Sequence, residues 1–420
     1  MYIWLITIGE PLPSDGDNNR FLRTGILANL LAARGHHVVW WTSTFDHARK
    51  RQRFEADITT DINKRFRIKL LHSIAYKNNV SLSRVINHWG IARKFAALAE
   101  AEPRPDIILC SLPTLELSLR AAEYGQKKGV PVILDVRDLW PDIFLELVPA
   151  WGRGLMKLLL SSFFDTVRAA CGKATAIAGI TPAFVEWGVN YANRPRTEFD
   201  RDFPLGYKAE APGEEALTKA EAFWDDLGIK KGSKEFIACF FGTMGRQFEL
   251  ETVIEAARSL NSGNRLFRFV LCGSGDNFHY YRKLAGECTN IIFPGWVGAA
   301  EIWTLLRMSS VGLAPYVNTQ NFMLNLPNKP VEYLSAGLPI VSCLGGVLEN
   351  LLSTYDCGVT YDSADAGALV SVLKHLYDNR QRLKAMSDNA LALYKEKYVA
   401  EKVYNDMIRY LEDIAGAYKK

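Results

Sequence analysis

No apolar run in this sequence approaches the roughly 20 residues that a membrane-spanning helix needs. The opening Met1-Tyr2-Ile3-Trp4-Leu5-Ile6 has no basic stretch, so no secretory signal is expected. No two of the seven cysteines, Cys110, Cys171, Cys239, Cys272, Cys288, Cys343 and Cys357, are spaced as C-x-x-C, and no histidine cluster accompanies them. Zinc and redox motifs are therefore not expected. The odd count, with Cys110, Cys239, Cys272 and Cys343 ending apolar runs, fits buried reduced thiols in a cytosolic protein. No G-x-G-x-x-G follows the first apolar run, and Gly273-Ser274-Gly275 is too short to count, which argues against a dinucleotide oxidoreductase. Low-complexity segments and short-period repeats are absent.

Charged residues make up 23% and aromatics 11%, which excludes a wholly disordered or fibrous chain. A length of 420 residues predicts two or three domains. The net charge of +4 is mild and gives no argument for nucleic acid. It is unevenly placed. Residues 1–190 hold 24 Lys+Arg against 18 Asp+Glu, and residues 191–420 hold 26 against 28, so the whole excess sits in the first half.

The pattern of apolar runs predicts an α/β chain. Tyr2–Ile8 reads as a strand ending in Gly9-Glu10-Pro11-Leu12-Pro13-Ser14-Asp15-Gly16, a loop signal. Residues 18–34 read as an amphipathic helix stopped by Gly35, and His36–Ser43 as a second strand, which makes a βαβ unit. Strands at Ile107–Ser111, Pro131–Val136 and Ala174–Ile180, with a helix at Leu115–Lys128, extend it to a doubly wound domain. Residues 191–232 are polar and read as a connection with one short helix. The pattern restarts with strands at Phe236–Phe241, Phe267–Cys272, Ile291–Phe293, Val311–Ala314, Ile340–Cys343 and Val359–Tyr361, followed by helices over 365–378, 380–396 and 400–418. Ligands of such sheets bind at the carboxyl ends of the strands. The loops after Ile8, Val136, Phe241, Cys272, Ala314 and Cys343 are therefore the ones to read.

In Leu326-Pro327-Asn328-Lys329-Pro330-Val331-Glu332, Asn328 and Lys329 fall at a helix start, where free N–H groups and the helix dipole favour an anion. Glu332, one turn in, is suited to accept hydrogen bonds from a vicinal diol. The alternative is a capped helix with a solvated Lys and Glu. Asp15-Gly16-Asp17 spells a D-x-D metal triplet, but a turn before a helix explains it better.

The run Pro327-Asn328-Lys329…Glu332-Tyr333-Leu334…Ala336-Gly337-Leu338-Pro339 resembles the donor-binding segment of family-4 retaining glycosyltransferases with the GT-B fold. Gly35-His36-His37-Val38, Phe241-Gly242-Thr243-Met244-Gly245-Arg246, Gly273-Ser274-Gly275, Phe293-Pro294-Gly295-Trp296-Val297 and Val311-Gly312-Leu313-Ala314-Pro315-Tyr316 resemble further motifs of that family in its order. Asp138-Leu139-Trp140-Pro141-Asp142 is similar to bacterial members that build surface polysaccharides. The resemblance implies two Rossmann-like domains facing across a cleft: an acceptor domain over 1–190, with a last helix at 400–420 packing back on it, and a nucleotide-sugar domain over 191–399.

It also implies roles. Glu332 matches the second Glu of the family's E-x7-E motif, which holds the ribose hydroxyls; the position of the first is Leu324. Sugar recognition then falls to Asn321, Asn325, Asn328 and Lys329. Arg246 matches the basic residue on the diphosphate. The Lys the family often has about five residues later is missing, so Lys329 shares the phosphate work. Gly242, Thr243, Gly245, Gly273, Gly275, Trp296, Val297 and Pro327 complete the donor side. On the acceptor side, Gly16 stands where the family has a Gly-Gly pair, and Arg20 and Arg23 open the following helix, Arg23 reading better as a solvated face. Asp138, with Asp142 as its rival, is the candidate polar group near the sugar or acceptor hydroxyl; the alternative is a helix cap or a pair with Arg137. The catalytic set is thus Asp138, Arg246 and Lys329. Charge on the leaving diphosphate is met by cationic side chains and helix N-termini, with no metal or other cofactor expected.

The implied reaction is retaining transfer from a nucleotide-diphosphate sugar to a polyprenyl-diphosphate-linked saccharide in envelope polysaccharide synthesis. An epimerase of the same fold and a catalytically silent partner subunit are the alternatives. Residues 150–170 are rich in Trp151, Leu155, Met156, Leu158–Leu160, Phe163 and Phe164, and read as a core helix or as an interfacial helix with Arg153 and Lys157 toward lipid phosphates. With the basic excess of the same half, an anionic membrane surface is an expected partner, and the expected location is cytoplasmic, peripheral to the inner face of the membrane.

Overall fold

The computed structural model describes residues 1–15, 21–262 and 265–419. The chain divides into two compact units: Met1–Pro204 with Ala400–Lys420, and Leu205–Val399. The division lies beyond the expected boundary at 190. Counted over these units, the first still carries the entire positive excess, a net +6 against −2.

The first unit holds strands β1 (Tyr2–Ile6), β2 (His37–Ser43), β3 (Phe45–Asp46), β4 (Arg51–Gln52), β5 (Ile58–Asn63), β6 (Phe66–Leu71), β7 (Ile107–Leu112), β8 (Val132–Val136), β9 (Ala176–Gly179) and β10 (Arg201–Asp202). Eight of them form one sheet in the order β10-β9-β8-β7-β1-β2-β6-β5, with β3 and β4 a separate hairpin. Every pairing in the large sheet is parallel except β5 with β6. Sequences such as IILCSL and VILDV are buried along their whole length, as strands covered by helices on both faces must be. Edge strand β5, ITTDIN, alternates exposed and half-buried residues, and its polar character protects the sheet edge. The chain order turns back between β1 and β7, so the crevice of this unit lies at their carboxyl ends. The helix Leu115–Lys128 stops at Gly129, whose φ of 63° lets the last turn close in the left-handed conformation. The helix Ala400–Ala417 contributes Tyr404, Met407, Leu411 and Ile414 to the core around Leu27 and Leu31.

The second unit holds β11 (Phe236–Phe241), β12 (Phe267–Cys272), β13 (Ile291–Gly295), β14 (Val311–Ala314), β15 (Ile340–Ser342) and β16 (Gly358–Thr360). Their order, β13-β12-β11-β14-β15-β16, is wholly parallel and doubly wound, with its switch point between β11 and β14.

The segment 150–170 is not one helix. It is a 3-10 turn at Ala150–Gly152 and helices Arg153–Leu159 and Ser161–Lys173. The core reading is corrected for its first part. Phe164 is buried, but Trp151, Leu155, Leu158 and Leu159 are 88%, 63%, 70% and 68% exposed. No described helix is long and apolar enough to cross a membrane. The seven cysteines form no disulfide; Cys288 is half-buried and the other six are buried.

Candidate functional site

The switch point of the second unit gathers most of the residues singled out on the donor side. Gly242 leaves β11 with φ +151°, and a Cβ on it would lie 2.6 Å from Lys329 Nζ. Gly273, leaving β12 with φ +139°, packs so tightly that its Cβ would lie 1.8 Å from the Gly242 oxygen. A Cβ on Gly275 would meet the Met244 backbone at 2.7 Å. Only glycine allows this backbone-on-backbone contact together with those dihedrals. Hydrogen bonds lace the loops: Met244 N–H donates to Ser274 O (2.9 Å), Gly242 N–H to Cys272 O (3.1 Å) and Gly273 N–H to Gly295 O (2.6 Å). Gly245 is a looser position, since its Cβ would meet only the Gln247 side chain.

The helix Asn328–Ser335 starts beside this floor, with buried Pro327 as its N-cap and Asn328 exposed in its first turn. Lys329 reaches back over an aromatic cluster, its Nζ 4.5 Å from the Phe248 ring centre and 5.7 Å from those of Phe240 and Tyr316. Such ring faces stabilise a cation by about 0.5–2 kcal/mol. Three residues on, Glu332 is buried. Tyr333 anchors the helix: its hydroxyl donates to Leu313 O at 2.9 Å, and its ring lies where a Cβ on Gly312 would be. Burial, and then the Glu332 charge, push the Tyr316 phenol well above its ordinary range. Arg246 is exposed, and no described residue pairs with it. Thr243 is exposed beside it. Asn325 is buried, and its Oδ1 meets no donor among the described residues. Past β13, Trp296 is 76% exposed, whereas Val297 is buried and packs into the core. Leu324 caps the short helix Gln320–Met323. Glu249, in the stretch where the Lys was sought, accepts hydrogen bonds from Ser363 Oγ (2.5 Å) and Ala364 N–H (2.9 Å). The aromatic partners of Lys329 were not anticipated; they lie on three separate segments, and no local pattern links them.

In the first unit, the carboxyl ends of β1 and β8 are tied by a buried ionic network. Arg23, only 2% exposed, pairs with Asp135 at 3.0 Å and donates to Phe203 O at 2.7 Å. The expectation of a solvated Arg23 is thereby corrected: its partner stands 112 residues away, where no helix-face pattern points. Arg137 pairs with Asp135 at 2.8 Å and with Glu10, not with Asp138. Glu10 also accepts from the Thr24 hydroxyl at 2.7 Å. Burial alone would raise the Asp135 carboxyl, but Arg23 and Arg137 hold it below its ordinary value. Asp142 accepts from Trp187 Nε1 (2.9 Å) and the Tyr191 hydroxyl (2.8 Å), a packing role. Asp138 is half-buried after β8 and lies within electrostatic reach of Arg84. Asp15 ends a 3-10 turn and is held by Arg53 through Nε (2.5 Å) and Nη2 (2.6 Å). Gly16 and Arg20 lie outside the described residues.

Residues 226–392 match the protein family described as glycosyl transferases group 1. No curated protein matches the chain. Among solved structures, the chain is similar to sucrose-phosphate synthase from Thermosynechococcus elongatus (15% identity, TM-score 0.72, covering 99% of each chain). It is also similar to WaaG, a glycosyltransferase involved in lipopolysaccharide biosynthesis (16% identity, TM-score 0.65, 96% of this chain and 99% of that one). A third is Anabaena HepE in complex with UDP-glucose (13% identity, TM-score 0.65, 98% and 100%). The second unit thus carries a glycosyl transferases group 1 domain, and the chain is a glycosyltransferase with the GT-B fold of two Rossmann-like α/β units.

Proposed function

We propose that the second unit binds a nucleotide-diphosphate sugar and that the enzyme transfers the sugar with retention to a polyprenyl-diphosphate-linked saccharide of envelope polysaccharide synthesis. The observation that carries the donor half is the switch-point floor: glycine backbone from two loops, with Lys329 lying against Gly242 and Arg246 exposed in the same loop. Backbone without side chains lets a diphosphate approach closely, and two cations meet the charge that builds on it as the sugar–phosphate bond breaks. Glu332, three residues after Lys329, supplies a carboxylate for the ribose hydroxyls. The solved HepE structure with UDP-glucose supports a nucleotide sugar as donor. Asp138 positions the acceptor hydroxyl, whose proton passes to the leaving phosphate. In this reading no metal takes part.

The acceptor half is supported by the surface of the first unit. Trp151, Leu155, Leu158 and Leu159 are exposed beside Arg153 and Lys157, and Leu82, Ile86 and Trp89 form an exposed stripe at helical spacing with Arg93 against Trp89. Exposed large apolar side chains among basic ones, in the unit that carries the positive excess, suit the face of an anionic bilayer. The enzyme then works peripherally on the inner face of the membrane.

Thermal-shift measurements with UDP, GDP, ADP and dTDP test the donor half, since a ligand of the folded state raises its melting temperature. One nucleotide is expected to stabilise the wild type, and Arg246→Ala and Glu332→Ala to lose that shift. A shift retained in both variants refutes the assignment. Product analysis with donor alone separates transfer from epimerisation. Asp138→Ala is expected to lower turnover with nucleotide binding kept, and unchanged turnover removes its role. Co-sedimentation with anionic vesicles at low salt is expected for the wild type and not for Leu155→Glu/Leu158→Glu.

A further inference from the structure

The carboxyl side of the first sheet holds a second cluster that the network around Asp135 does not absorb. Lys50 ends the turn between β3 and β4 with φ 53°, a left-handed conformation that a residue with a Cβ adopts at a cost, and such strain gathers at functional positions. Its Nζ donates to Asn79 Oδ1 (2.5 Å) and approaches His47 Nδ1 (3.3 Å). The Tyr76 hydroxyl contacts the same His47 nitrogen at 2.7 Å. Arg84 donates to Asn79 O (2.7 Å) and approaches buried His88 Nε2 (3.4 Å). Its guanidinium lies over the Trp140 ring at 4.5 Å and near that of Tyr76 at 5.9 Å.

What sets Lys50 and Arg84 apart is the company they lack. Arg23, Arg53, Lys69, Arg137 and Arg194, five partly or fully buried cations of this unit, each hold a carboxylate. Among the described residues, neither Lys50 nor Arg84 has an ion pair; neutral amide oxygens, imidazoles and rings surround them. The nearby Asp46 is engaged with Arg49 and Arg53. Burial pushes His47 down to about 4 and His88 down to about 3, and Lys50 and Arg84 push His47 in the same direction. Both imidazoles are therefore neutral at pH 7, and the nearest carboxylates, Asp46 toward Lys50 and Asp138 toward Arg84, act on the two cations without forming an ion pair among the described residues. A cluster built this way is short of an anion.

We propose that Lys50, Arg84, His47 and Tyr76 form a binding site for a phosphate or diphosphate group, the anionic part of the acceptor. Lys50 and Arg84 donate to its oxygens, and the Tyr76 hydroxyl and the His47 imidazole add neutral contacts. Asp138, within electrostatic reach of Arg84, then stands on the side of the hydroxyl to be glycosylated. Its assignment to the acceptor rests on the transfer reading above; the anion site itself does not.

Calorimetric titration of the full chain, without donor, with inorganic diphosphate and with farnesyl diphosphate tests it. The wild type is expected to bind inorganic diphosphate, and Lys50→Gln and Arg84→Gln each to weaken it roughly tenfold, the loss of one charge-assisted contact. Arg120→Gln, on the exposed face of the helix Leu115–Lys128 and paired with Glu123, is expected to leave that affinity within about twofold. Unchanged affinity in Lys50→Gln, or no binding to the wild type, overturns the proposal. So does loss of binding in Arg246→Ala, which moves the anion to the donor site. Lys50 is half-exposed, so its variant keeps the test open if Arg84→Gln does not fold. Tighter binding of farnesyl diphosphate assigns the phosphate to a lipid, and equal binding assigns it to a soluble sugar phosphate; both sustain the site. A chain that binds diphosphate through Lys50 yet transfers no sugar refutes the transfer reading alone.

Discussion

The two units share an architecture and differ in what their strand ends are made of. In the second, the crevice is walled by backbone: Gly273 and Gly275 pack against the carbonyl oxygens of Gly242 and Met244, and Lys329, lying against Gly242, rests on aromatic rings. In the first, the strand ends carry charged side chains, Glu10, Arg23, Asp135 and Arg137, closed into a buried network, while Lys50 and Arg84 have no ion pair among the described residues. A backbone floor gives close approach and leaves the choice of ligand to the side chains around it. A side-chain site is specific, and it exposes its unit to charge imbalance when one member is lost.

That contrast can be broken most sharply at Asp135. Asp135→Ala leaves Arg23 and Arg137 buried around one remaining carboxylate, and a loss of about 3–5 kcal/mol in the first unit is expected. Urea unfolding should then show the first unit melting well before the second. A single unshifted transition would mean that the network carries little of the stability.

The matching change in the second unit is Gly273→Ala. Its Cβ would overlap the Gly242 oxygen, so the loops must part, at about 1–3 kcal/mol. The expected signature is local: a modest fall in melting temperature with loss of the nucleotide-induced shift. Full retention of that shift would show that the floor tolerates side chains. Gly245→Ala, which meets only a flexible side chain, should be nearly silent.

The smallest effect near neutrality is one of pH, and the two histidines that carry it, His47 and His88, lie in the first unit. Unfolded histidines take up protons near their ordinary 6.5, whereas folded His47 does so at about 4 and His88 at about 3. Between those values the unfolded chain binds more protons, so stability falls as the pH drops from 6.5 towards 4. His47→Gln should flatten that fall in chemical-denaturation series, and an unchanged slope would assign it to the carboxylates.

The same contrast governs what could be read from the sequence. Glycine positions, strand runs and the Pro327–Glu332 segment are local signals, and Phe236–Phe241, Phe267–Cys272, Val311–Ala314 and Leu115–Lys128 stand where apolar periodicity puts them. The first unit's chemistry is made of long-range pairs. Arg23 meets Asp135, and Lys50 and Arg84 meet at Asn79, from segments whose adjacency only the folded sheet creates. The stretch from β3 to the helix Leu82–Ala99 gave no readable pattern because its hairpin is two residues a side and its edge strand is polar. The exposed stripe at Trp151–Leu159 was ambiguous for a different reason: composition alone does not tell a core helix from one turned outward.

The helix Ala400–Ala417 packs into the core of a unit whose other 204 residues come first in the chain. The second unit is in effect an insertion into the first. During synthesis it emerges whole and can fold on the ribosome, while the first waits with the site for Leu411 and Ile414 open until residues 400–417 have been made. A chaperone that binds exposed apolar surface would thus engage the earlier-made half for longer, and a stop codon near residue 399 would strand that half and spare the later one.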